Sequence, residues 1–173
     1  LVGSEMCIRD RRKIGENKED ILRAMRQTSE RMREIFGDRW YAELQWNSVP
    51  EQHSLNKYII QMHKEFNVPL ISTADSHYPT PDSWKDRELY KRLRWLGKGN
   101  MPAWLSEQLP ESVSDIGYEL YPKNGDDMWT SYKRYSEEAG VTYDDNLVRE
   151  SIESTYKIAH EKIARFEPDN KVR

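Results

Sequence analysis

The sequence predicts an α/β fold, a βαβ unit followed by an α-helical segment, and three observations predict it. From Trp40 to Trp46 the residues alternate: Trp40, Ala42, Leu44 and Trp46 share one face, and Tyr41, Glu43 and Gln45 the other, the period of a strand. Leu55, Tyr58, Ile59, Met62 and Phe66 recur at three- and four-residue intervals, the stripe of an amphipathic helix. Val68 to Ala74 is a short apolar run and reads as a buried strand. Strand, helix and strand within about thirty residues make a βαβ unit with parallel strands. A parallel sheet needs both faces covered, so one unit reads as part of a barrel or of a doubly wound sheet.

The remaining elements follow in order. Ile21, Leu22, Met25, Met32, Ile35 and Phe36 predict a helix that opens near Asn17 and Asp20 and stops at Gly37. Asn47 to Pro50 form a turn between the first strand and the second helix. Thr80-Pro81 opens a third helix, since proline at the first helical position forfeits no hydrogen bond; Leu89, Leu93 and Leu96 carry its stripe to Gly97. Residues 97–120, with Gly97, Gly99, Pro102, Pro110 and Gly117, read as an irregular linker. A short helix follows around Met128, Trp129, Tyr132 and Tyr135. A long one runs through Leu147, Val148, Ile152, Tyr156, Ala159, Ile163 and Phe166. The opening eleven residues read as translated adapter sequence, which would make Cys7 no part of a natural protein.

Composition narrows the function classes. Of 173 residues, 36% are hydrophobic and 33% charged, and the mean hydropathy is −0.97. Six Trp and ten Tyr nonetheless supply apolar surface that a disordered polar chain lacks. The net charge of −3 comes from interspersed charges and gives no global pull toward nucleic acid. No apolar run is long enough to span a membrane and no secretory leader is visible, so the cytoplasm is the expected compartment. A single cysteine allows neither an internal disulfide nor a cysteine cluster for metal.

The stretch Ser72-Thr73-Ala74-Asp75-Ser76-His77-Tyr78 carries the candidate chemistry. It leaves the carboxyl end of the second strand, where sites form in parallel α/β folds. Asp75 and His77 are two apart, and an extended backbone would point both side chains the same way. A carboxylate beside an imidazole suits Zn²⁺, Mn²⁺ or Fe²⁺, although a catalytic zinc wants at least three protein ligands. On spacing alone the simpler reading is that Asp75 caps a turn and His77 is hydrogen-bonded in a loop. His53, His63 and His160 read as surface residues. Lys85, Arg87, Lys91, Arg92, Arg94 and Lys98, interleaved with Trp84, Tyr90 and Trp95, could follow a nucleic-acid backbone; the simpler reading is a solvated helix face whose aromatics turn inward.

Residues 35–99 add context. Phe36-Gly37, Tyr41-Ala42-Glu43-Leu44, Gln52 to Asn56, the apolar strand Val68 to Ala74 and Asp75-Ser76-His77-Tyr78 stand in this order. The series resembles the closing part of the PHP domain of bacterial DNA polymerase III alpha subunits. Glu119-Leu120-Tyr121-Pro122-Lys123, Asp126-Asp127-Met128-Trp129 and Tyr156-Lys157-Ile158-Ala159 resemble the segment that follows it. The resemblance implies the terminal βαβ portion of a PHP-type seven-stranded (β/α) barrel over residues 12–99, a linker over 100–120, and a helical segment over 121–173 that leads toward a polymerase core. It implies Asp75 and His77 as the last ligands of a divalent-metal cluster of Zn, Mn or Mg, with the other ligands outside this sequence. Glu43, on the polar face of the first strand, reads either as a partner orienting His77 or, equally, as an ordinary salt-bridged or solvated glutamate. The implied parent is a DNA-directed DNA polymerase, a nucleotidyltransferase using Mg²⁺, with a PHP domain capable of metal-dependent 3′–5′ exonuclease action. Its partners would be DNA and other replisome subunits, including a proofreading partner. A free-standing PHP phosphoesterase and a non-catalytic structural PHP module are the alternatives.

Overall fold

The computed structural model describes residues 17–96, 98 and 108–162. The adapter-like residues 1–11, most of the first half of the linker, and Ile163 and Phe166 lie outside the described residues.

Helix α1 spans Lys18–Phe36 and begins where expected, with the Asn17 side chain accepting from the Glu19 amide at 3.0 Å. Glu19 and Asp20 place negative charge at the positive end of the helix. Gly37 ends it at φ 61°, with its N–H on the Arg33 carbonyl. The buried stripe stops earlier than its pattern: Ile21 is buried and Met25 and Met32 are partly buried against the core, but Ile35 and Phe36 are 59% and 44% exposed. Ser29, buried in the same helix, accepts the Trp40 indole N–H at 2.9 Å and fixes the entry to the sheet.

The sheet has two parallel strands, β1 (Ala42–Leu44) and β2 (Leu70–Ser72), in register Ala42 with Leu70, Glu43 with Ile71 and Leu44 with Ser72. Flanking bonds extend the ladder, Ala42 N–H to the Pro69 carbonyl at 2.8 Å and Thr73 N–H to the Leu44 carbonyl at 3.1 Å. The alternation from Trp40 to Trp46 does not translate into a wet face, for Glu43 and Gln45 are buried like their apolar neighbours. Coverage of both faces is the rule for parallel sheets.

Between the strands runs α2, Pro50–Phe66, opened by its proline and closed by Asn67 in the left-handed region at φ 53°. Leu55, Ile59 and Met62 are buried. Gln52 donates to Asn56 at 3.0 Å, and Asn56 donates to the Gln45 carbonyl at 2.8 Å, which fastens the crossover helix to the end of β1. His53, expected on the surface, is buried instead. Its ring nitrogens lie 2.8 Å from the Tyr143 hydroxyl and 2.8 Å from the Asn47 carbonyl, and these contacts offset the loss of water. His63 is half-buried, not a free surface residue, with Nδ1 2.8 Å from the Val68 carbonyl. His160 is exposed, as expected, its ring 4.1 Å from that of Tyr156.

After a 3-10 turn at Pro81–Ser83 comes α3, Trp84–Leu96. Its expected stripe is inverted: Leu89, Leu93 and Leu96 are exposed, whereas Trp84, Glu88 and Arg92 are buried. The buried charge is matched, since Glu88 meets Arg87 at 3.1 Å, Lys91 at 2.8 Å and Arg92 at 3.1 Å. Arg92 also donates to the Gln108 carbonyl at 2.6 Å, which ties α3 to the connecting segment. The interleaved aromatics do not all turn inward either, since Trp84 is buried but Tyr90 is exposed.

The connecting segment has order of its own. Ser112 and Asp115 cap a 3-10 turn at Val113–Ile116, closed by Gly117 at φ 73°. The Gly117 carbonyl accepts both the amide and the hydroxyl of Ser48, and a Cβ on residue 117 would stand 2.9 Å from that hydroxyl oxygen. Left-handed backbone and close approach together call for glycine there.

Helix α4 (Gly125–Glu138) starts from Asn124, and α5 (Asp145–Lys157) starts from Asp144, each with a side-chain cap. A π-helical turn at Ile158–Lys162 continues α5. Both helices join the core of the βαβ unit: Met128, Tyr132, Tyr135 and Val148 cluster with Trp40, Ala42, Leu44, Trp46, Leu55, Ile59, Met62, Val68 and Leu70. The Trp46 ring lies 4.8 Å from that of Tyr132 and 5.2 Å from that of Tyr143. Ser72 of β2 is 2.7 Å from the Ser151 hydroxyl, and its carbonyl accepts Thr155 at 2.9 Å. Among the described residues no helix is long and apolar enough to cross a membrane.

Candidate metal-ligand pair at the carboxyl end of β2

The chain leaves β2 through Thr73 and Ala74 and turns at Asp75, whose φ is +47°. Aspartate is among the few residues that tolerate this left-handed region. The turn replaces the extended backbone expected over Asp75 to His77, so simple alternation does not set the direction of the two side chains. The turn itself brings them together. His77 Nδ1 lies 2.6 Å from the Asp75 carbonyl oxygen and 3.8 Å from Asp75 Oδ2.

A carbonyl oxygen only accepts, so this contact assigns a proton to Nδ1 and, in the neutral ring, leaves the Nε2 lone pair available. A second hydrogen bond of this kind is how metal-binding histidines are fixed in tautomer and orientation. Both side chains are about half open to solvent, at 44% for Asp75 and 45% for His77. One carboxylate and one imidazole suit a divalent cation. Among the described residues no group of three or more His, Cys, Asp or Glu side chains is placed to hold a metal ion, so the pair is a partial donor set.

Glu43 stands one strand away and is buried. Its carboxylate accepts from the Thr73 hydroxyl and from Gln45 Nε2, the latter at 3.3 Å. It thus reaches the loop through Thr73, at the point where the chain exits β2, and makes no hydrogen bond to His77 among the described residues.

The loop is held from the other side by residues beyond α3, a feature with no signal in the sequence because it runs through backbone atoms. The Leu120 carbonyl accepts the amides of His77 at 2.7 Å and Tyr78 at 3.1 Å, and the Leu120 amide donates to the Tyr78 hydroxyl at 2.8 Å. Tyr78 is buried, and burial raises the pKa of its phenol. Next to Leu120, Glu119 meets Arg134 of α4 at 2.8 Å and Lys123 at 3.4 Å. The Lys123 ammonium is almost wholly buried; burial lowers its pKa and Glu119 works against that shift.

With this geometry in view, comparisons with known proteins give one consistent name. The chain is 44% identical over 52 residues to the DNA polymerase III subunit alpha of Aquifex aeolicus. It is 29% identical over 55 residues to that of Thermus aquaticus, and 26% identical over 96 residues to that of Campylobacter jejuni. Part of this chain is similar to DNA polymerase III alpha subunits. The matches cover 30%, 32% and 56% of this chain but only 4%, 4% and 7% of the relatives' own length. No protein-family profile matches the chain, and no solved structure does.

Proposed function

We propose that the chain is a segment of a replicative DNA polymerase alpha subunit, and that its βαβ unit is the closing portion of a PHP-type barrel contributing Asp75 and His77 to a divalent-metal site. One observation carries the reading: at the carboxyl end of a parallel strand, Asp75 holds the His77 imidazole with Nε2 open beside an exposed carboxylate, in a chain partly similar to those subunits. A divalent cluster there would activate water and offset charge on a phosphodiester. In that site Asp75 supplies an oxygen donor and His77 Nε2 a nitrogen donor. Glu43, through Thr73, steadies the strand exit from which the loop departs.

The remaining ligands of the cluster, and the carboxylates that hold Mg²⁺ for nucleotidyl transfer, belong to other parts of the parent protein in this reading. DNA is the substrate, and the partners are other replisome subunits, a proofreading subunit among them. The test is to recover the flanking coding sequence, produce the longer protein, and measure bound metal and 3′–5′ exonuclease activity for it and for its Asp75→Ala and His77→Ala variants. Polymerase-type carboxylates downstream, with metal and exonuclease activity both lost in the variants, are the expected result. A polymerase whose metal content and nuclease activity ignore both substitutions would reduce the barrel to a structural module. A frame with no polymerase downstream would replace the reading with a free-standing phosphoesterase.

A further inference from the structure

The reciprocal bonding between Leu120 and the His77-Tyr78 pair assigns Tyr78 a role beyond filling space. We infer that Tyr78 is a positioning residue: its hydroxyl and the Leu120 backbone form a latch that holds the Asp75 to His77 turn in its ligand-presenting conformation. This rests on the metal-site reading for its purpose, though not for its geometry.

Within the turn, His77 Nδ1 meets the Asp75 carbonyl at 2.6 Å. Asp75 sits at φ +47°, and the side chains of Asp75 and His77 are about half exposed. An exposed turn in a sparsely populated backbone region persists only where its surroundings fix it. Those surroundings are three hydrogen bonds that converge on one residue. Leu120 accepts at 2.7 Å and 3.1 Å from the amides of His77 and Tyr78, and donates at 2.8 Å to the Tyr78 hydroxyl. Tyr78 thereby closes a ring in which its main chain donates to Leu120 and its side chain accepts from Leu120. A phenylalanine would keep the buried ring but leave the Leu120 amide without this acceptor.

Leu120 is itself anchored through its neighbour Glu119. Glu119 is held by Arg134 of α4 at 2.8 Å, and the buried Lys123 ammonium binds the Glu119 carbonyl at 3.0 Å and its carboxylate at 3.4 Å. Through this chain of contacts the segment after α3 determines how His77 is presented, so the pair at the end of β2 is not set by the βαβ unit alone.

The experiment is solution NMR on this chain and its Tyr78→Phe variant, with Glu119→Gln as a second variant that loosens the anchor and spares the buried ring. Two signals are read: amide hydrogen exchange, and the imidazole nitrogen shifts of His77. In Tyr78→Phe the amides of His77 and Tyr78 should exchange roughly three- to tenfold faster, the effect of losing one hydrogen bond, while the ladder amides of Ala42 and Thr73 keep their rates. The His77 nitrogens should move from the Nδ1-protonated pattern toward that of a free imidazole, a change that a merely space-filling tyrosine would not produce. Glu119→Gln should move both signals the same way by less. Unchanged exchange and an unchanged nitrogen pattern in both variants would overturn the latch. Titration of the unmodified chain with Zn²⁺ reports separately on the underlying reading: if His77 Nε2 does not respond while the variants behave as described, the latch stands and the metal assignment falls.

Discussion

Helices α2 and α3 are neighbours in sequence, yet they treat their apolar residues in opposite ways. In α2 the stripe Leu55, Ile59 and Met62 is buried, as its spacing says. In α3 the stripe Leu89, Leu93 and Leu96 faces solvent, and Glu88 and Arg92 lie inside. The difference lies in what each helix meets. The crossover helix is placed by the strands it joins and lies over their core, whereas the Glu88 ion pairs stay within α3, to Arg87, Lys91 and Arg92, and Arg92 alone of these reaches out, to the Gln108 carbonyl. Periodicity reports which residues share a face; the neighbours decide which face is inward.

The comparison can be broken or sharpened by substitution. Ile59→Ala, at a fully buried position, should cost about 2–5 kcal/mol in chemical denaturation, the range for emptying a core site. Glu88→Ala should cost about 3 kcal/mol, because it strands the buried Arg92 cation; an effect as small as that of a surface charge would show that Arg92 finds water or another partner. The carboxylate also gives a pH signature. Burial alone would raise its pKa, but hydrogen bonds from Lys91 and Arg92 outweigh burial and hold it below the usual carboxylate value. Its stabilisation is therefore present above the unfolded-state pKa of roughly 4.3 and lost as pH falls through the lower folded value. Unfolding midpoints measured between pH 5 and 3 should fall less steeply in Glu88→Gln than in the parent chain.

His53 should show a smaller effect in a different window. Burial leads in lowering its pKa, so the fold favours the neutral ring. That contribution is complete above the unfolded value of roughly 6.5 and declines as pH falls from there toward the folded value. A His53→Gln variant should lose that slope in thermal melts between pH 7 and 5. The smallest effect belongs to α3's outer face: Leu93→Ala should change stability by about 0.5 kcal/mol or less, as at other surface positions. A larger loss would mean that this face is covered in solution.

The βαβ unit was legible because alternation, helical spacing and a short apolar run lie within local stretches, and parallel pairing follows from the crossover. The caps at Asn17 and Gly37 were legible for the same reason. The burial of Glu43 and His53 was not, because each is satisfied by a partner distant in sequence: Thr73 lies 30 residues from Glu43, and Tyr143 lies 90 from His53. At the candidate site the residue types of Asp75 and His77 pointed to cation chemistry. The left-handed turn that joins them and the Leu120 backbone that holds them carry no signature in a single sequence.

The most direct test of the account is paramagnetic broadening of this chain's NMR signals by a trace of Mn²⁺, which registers even weak binding by a partial ligand set. The account predicts that the imidazole protons of His77 and the amide signals of Asp75 and Ser76 broaden first, and that Asp75→Asn removes the effect. Broadening that begins at Asp144 and Asp145, or that spreads evenly over exposed carboxylates while His77 stays sharp, would contradict it.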